Sequence, residues 1–215
     1  MNVIKKLLAV AMLLSAFMIT FADATIVADI SVSARVCRDL GFIAGTTEEG
    51  VTPEYTESIP TRIQAARIYL RIFDLEKAAI VYEGKQNFLD ADKASVEDQK
   101  ILAYLKVHPE YGFIGNPDGS FHPNESMTAQ AYYKVLLVAL GYDYAKDFSW
   151  DTVFDFAKTK DMPKLTVDDN KTFTIDKLCI ATTEGLRATL KDGSKSLVQS
   201  LAEKGIIKLP KDGLY

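Results

Sequence analysis

The chain has 215 residues, enough for one ordinary domain or a few small repeated units. Hydrophobic residues make up 48% and charged residues 25%, the balance of a soluble globular protein with a real core. A formal net charge of −4 excludes long-range attraction to nucleic acid or anionic lipid.

The first element is an export signal. Lys5 and Lys6 give a short positive start, an apolar run follows from Leu7 to Phe21, and Ala22-Asp23-Ala24 offers small residues at both positions of an A-x-A cleavage site. The run falls short of the ~20 apolar residues that a spanning helix needs. Residues 1–24 are therefore read as removed on export, which leaves the mature chain without a membrane segment. Cys37 and Cys179, the two cysteines of the chain, sit among apolar neighbours. Export permits a disulfide, but two buried, unpaired thiols fit that setting better.

The rest of the chain repeats one unit: a helix, a glycine turn, an irregular loop and a second helix opened by Thr. In residues 25–80, Ile30, Ala34, Cys37 and Leu40 fall near helical spacing, and Gly41 follows as a C′ glycine. A loop from Phe42 to Pro60 comes next. Thr61-Arg62-Ile63-Gln64 then has the spacing of a capping box ahead of an apolar-rich helix bearing Ile63, Ala66, Leu70 and Phe73.

Residues 88–144 hold the most complete unit. Ser95 with Asp98 starts a helix whose stripe is Ile101, Leu102 and Leu105, and Pro109 ends it. Gly112-Phe113-Ile114-Gly115 and the turn Asn116-Pro117-Asp118-Gly119 follow. The helix from Thr128 to Leu140 is apolar almost all round and belongs inside a bundle. Residues 145–191 form a degenerate unit: Ser149 caps a helix with Trp150, Val153, Phe154 and Ala157, Pro163 breaks it, and Thr174 opens the next. In residues 192–215 a final helix from about Ser196 to Lys204 packs back on the bundle. Units this small cannot bury their own apolar faces, so they should share one core.

The ordered string Phe88-Leu89-Asp90, helix, Gly112-Phe113-Ile114-Gly115, Pro117-Asp118-Gly119-Ser120-Phe121, Pro123 and Thr128 resembles the S-layer-homology domain. The first unit keeps Gly41-Phe42-Ile43-Ala44-Gly45 and Thr61-Arg62; the third keeps a Trp-led helix and Thr174. This resemblance implies an all-α, pseudo-threefold arrangement, with the three Thr-led helices in a central bundle and the loops as prongs. It also implies a secreted, cell-wall or surface-layer location. The implied partner is a secondary cell-wall polysaccharide, often a pyruvylated one, held non-covalently between prongs.

The residues of the helix opening divide between two tasks. Thr61 and Gln64 satisfy N–H groups at the helix start. Arg62, between them, points outward beside the positive end of the helix, where it can grip a carboxylate with two hydrogen bonds. The second and third units have Ala129 and Ile175 at that position, which leaves one groove around Arg62, with Gly41 and the Asp118-Gly119 loop as neighbours. The plainer reading makes Arg62 a solvated helix-start residue. Trp150, the single Trp, fits core packing first and a sugar-facing role second.

No His or Cys pair has metal-ligand spacing, and no P-loop, dinucleotide fingerprint or nucleophile elbow occurs, so neither an enzyme nor a cofactor is implied. Asp90-Ala91-Asp92 starts like a calcium loop, but Ser95 replaces the required glycine. The competing function is a degenerate scaffold that assembles with other surface-layer proteins without binding glycan, and the loss of two arginines favours it.

Overall fold

The structure, a computed structural model, describes residues 29–209. The residues read as an export signal and the end of the last segment lie outside them. Among the described residues the chain is mostly helical, with no strand and only isolated bridges at Thr61–Ser126, Tyr144–Phe148 and Thr189–Ser196. No helix among them is long and apolar enough to cross a membrane. The α-helices are α1 (Val32–Asp39), α2 (Pro53–Glu57), α3 (Arg62–Ile72), α4 (Glu76–Ile80) and α5 (Val96–Val107), followed by α6 (Ala129–Ala139), α7 (Val153–Lys158), α8 (Ile175–Arg187) and α9 (Leu197–Glu203).

Local chemistry sets these boundaries. A hydroxyl caps the first turn of α1 (Ser31), α2 (Thr52), α3 (Thr61), α5 (Ser95), α6 (Thr128), α8 (Thr174) and α9 (Ser196), each accepting from the N–H three residues on. At Thr61 the box is reciprocal, because Gln64 Oε1 accepts from Thr61 N–H at 2.9 Å. Gly41 ends α1 in the left-handed region, at φ 76°. Two short helices, α2 and α4, stand where the spacing predicts loop and helix end. Ser149 and Thr152 do make a reciprocal box, but it opens a 3₁₀ turn, Trp150–Thr152, before α7 begins.

The three segments read as repeats are joined through their helix starts. Arg62 and Ile63 N–H, heading α3, donate to Glu125 O (2.8 Å) and Pro123 O (3.1 Å) of the second repeat. Gln130 N–H, heading α6, donates to Asn170 Oδ1 of the third repeat at 2.9 Å. Ile175 N–H, heading α8, donates to Ser58 O of the first repeat at 2.8 Å. First-turn N–H groups have no partner inside their own helix, so each repeat satisfies the one before it. The leading helices follow the same order: α5 packs on α3 and α4, α7 on α6, and α1 on α8.

One contiguous core results, running from Ile30 to Ile207. At its centre Tyr132 is fully buried and its hydroxyl bonds with Thr182 Oγ1 at 2.9 Å. Cys37 and Cys179 are buried free thiols on the α1–α8 seam, with Cys37 Sγ 3.9 Å from Cys179 O. Asp90, 7% exposed, ties the start of the second repeat to its loop: its carboxylate accepts from Phe121 N–H (2.7 Å) and His122 N–H (2.9 Å). Burial works against the charge, but those two bonds win and hold the carboxyl below its ordinary range.

Candidate functional site

A groove of about 450 Å3 is lined by residues from all three of the segments read as repeats. Arg62 comes from the first repeat, the Gly112–Pro117 segment with Lys134 and Tyr144 from the second, and Trp150 from the third. Arg62 does not point freely outward as the helix-start argument expects. Its Nε donates to Phe121 O at 2.8 Å and its guanidinium lies 5.0 Å from the centre of the buried Phe121 ring. Stacking and one hydrogen bond fix the plane of the group. Burial lowers its pKa, opposed by the more distant charges of Glu125 and Asp90.

Lys134 is the second cation of the groove, and the helix-start argument misses it. Its Nζ donates to Gly112 O at 3.0 Å and sits 4.9 Å above the Tyr144 ring. Burial, and then the charge of Arg62, push its pKa down to about 8. Gly112 makes this contact possible: its φ is 82°, and a Cβ there would stand 3.3 Å from Val135 Cα. Among the described residues neither Arg62 nor Lys134 is in a salt bridge, in contrast to Arg67 and Arg71. Neither cation has a direct ion pair, so this part of the groove favours an anionic group over a cationic one.

The other expected site residues fall differently. Gly41 does not neighbour this groove; it lines a separate cavity with Arg71, Asp74 and Glu76, because α1 packs on α8 and carries its C-terminal turn away from Arg62. Asp118 and Gly119 do not line the groove, although Asn116 and Pro117 of the same turn do. Asp118 accepts from Ser120 N–H and Oγ, which lowers its pKa and marks it as a turn residue. Trp150 is 42% exposed, so its core reading fails: the 3₁₀ turn sets it on the rim while Val153 and Ala157 take the buried positions. Arg62 and Trp150 are thus the two expected residues that the fold brings together. Lys134 had a signal of its own, as the one charged residue of an otherwise uncharged α6.

Among the described residues no group of three or more His, Cys, Asp and Glu could hold a metal. Glu184, 4% exposed, has its pKa raised by burial, yet it is enclosed: it accepts from Tyr133 Oη and from Lys164 N–H at 3.0 Å. It stitches the loop of the third repeat to α8. No protein-family model matches the sequence, and no curated protein matches it either.

Proposed function

We propose that the chain is an exported wall-binding module, three S-layer-homology-type repeats in a pseudo-threefold ring, whose groove at Arg62 holds an anionic cell-wall polysaccharide. One observation carries this reading: Arg62 and Lys134, drawn from different repeats, share a groove with no carboxylate bonded to either. Trp150, Tyr144 and Ile114 give the same groove apolar walls on which sugar C–H faces can rest. An acidic substituent such as a pyruvate ketal supplies the charge, and Arg62, with Nε engaged to Phe121, keeps its two Nη groups for the carboxylate. The head-to-tail hydrogen bonds between repeats support the threefold reading.

The test is co-sedimentation of the mature protein with peptidoglycan sacculi that carry their secondary polymer and with sacculi stripped of it. Polymer-dependent binding that drops strongly in Arg62→Ala is the expected result. Equal or absent binding in all cases overturns the reading and leaves the assembly scaffold in its place.

A further inference from the structure

We propose that Cys37 and Cys179 form a disulfide site, oxidised while the chain folds, that covalently joins α1 to α8. The two residues stand 142 positions apart, in the segments read as the first and third repeats. They are the two cysteines of the chain, and both are fully buried.

Packing brings the thiols together. Cys37 Sγ lies 3.9 Å from Cys179 O, and the Cys37 thiol, ahead of burial, raises the pKa of Cys179. Polar contacts on the same seam set its register: Ser31 Oγ donates to Asp176 Oδ1, and Ser33 Oγ and Thr183 Oγ1 share a hydrogen bond at 3.1 Å. Ser33 and Cys37 share one face of α1, four positions apart, as Cys179 and Thr183 do on α8. The two helices therefore hold the sulfurs against each other in a defined register, which is the condition for a bond.

The oxidant is an exchange-active disulfide, RS–SR. A thiolate of one cysteine attacks it and expels RS⁻; the second cysteine thiolate attacks the protein sulfur of the mixed disulfide and expels the other RS⁻. The chain loses two protons and two electrons, which leave as two RSH. Oxidising conditions prevail outside the cytoplasm, so the proposal rests on the export part of the reading above and not on the anion groove.

Burial fixes the timing. In the folded chain neither sulfur is exposed, and its raised pKa keeps Cys179 a protonated, inert thiol. Exchange belongs to the interval before α1 seats on α8, and the finished fold retains the state it acquired then. Once made, a bond spanning 142 positions restricts the unfolded chain strongly.

The test refolds the mature protein, reduced and unfolded in guanidinium chloride, with mixed oxidised and reduced glutathione or with a phosphine reductant. Free thiols are then alkylated in denaturant and counted by mass spectrometry. The glutathione sample is expected to carry an intramolecular Cys37–Cys179 bond, to keep the helical circular-dichroism spectrum of the reduced sample, and to melt about 5–10 °C higher. Protein folded in the reduced state and only then given glutathione should keep both thiols for hours. Cys37→Ala should melt at the same temperature under both conditions. Two free thiols after oxidative refolding, glutathione left on the sulfurs, or a bond that erases the helical spectrum or leaves the melting temperature unmoved would each overturn the proposal. Oxidation of the folded protein as fast as that of the unfolded chain would overturn it too. No ligand enters these measurements, so their failure is separate from failure of the anion groove.

Discussion

Raising the pH from 7 to 9.5 should release the proposed anionic ligand, and the loss follows from Lys134. With a pKa of about 8 in the empty groove, Lys134 is about 90% protonated at pH 7 and about 3% at pH 9.5. A bound carboxylate favours the charged form, so binding at high pH has to include proton uptake. Affinity should fall about 30-fold across that range, equivalent to about 2 kcal/mol. Trp150, the single Trp of the chain, lines the groove, so its fluorescence reports occupancy directly. Lys134→Arg keeps the charge at every pH in the range and should flatten the profile; Lys134→Gln should bind weakly throughout. A flat wild-type profile, or the same slope in Lys134→Arg, refutes the reasoning. Without ligand the sign reverses. The folded state releases this proton at lower pH than the unfolded chain, so stability should rise as the pH passes from about 8 toward the ordinary lysine value of 10.5.

Three further outcomes are expected. Asp90→Ala orphans two backbone N–H groups beside a buried ring and should cost about 3 kcal/mol in urea unfolding; a loss under about 1 kcal/mol would mean the loop is held by something else. Because the Asp90 pKa is lowered on folding, its contribution is present above the ordinary aspartate value and is lost as the pH falls through the folded value. Glu184 is the reverse case. Its pKa is raised by burial, so wild-type stability should decline as the pH climbs from 4.5 through the folded value, and Glu184→Gln should remove that decline in melting experiments. Gly115→Ala places a Cβ 2.6 Å from the Phe88 ring and 2.7 Å from Ser120 O at a φ of 74°, so a loss of about 2 kcal/mol or more is expected from the same measurement.

Helix content and helix starts were legible because hydroxyl caps act within four residues. Thr61, Ser95, Thr128, Thr174 and Ser196 all cap where the spacing places them. The short α2 stands inside the expected loop although Thr52-Pro53-Glu54 carries a helix-start signature, a capping hydroxyl followed by Pro at the first helical position and an acid. For Trp150 residue type favours burial, whereas its exposure is decided by the 3₁₀ turn ahead of α7. The partnership of Arg62 with Lys134 is a different matter. It depends on the first repeat docking its Thr-led helix against the loop of the second, and no periodicity within one repeat encodes which neighbour it meets.

The contacts that tie the three segments together have a consequence for binding. A chain missing its last repeat would lose Trp150 from the groove and the seat of α1 on α8 together. Any ligand that needs the whole groove is therefore read only by a chain in which all three segments have docked, and a truncated copy should not bind it. The same arrangement constrains sequence change. A substitution that alters one repeat is tested in the surfaces of the two others, so the repeats cannot drift apart independently, however little they come to resemble one another.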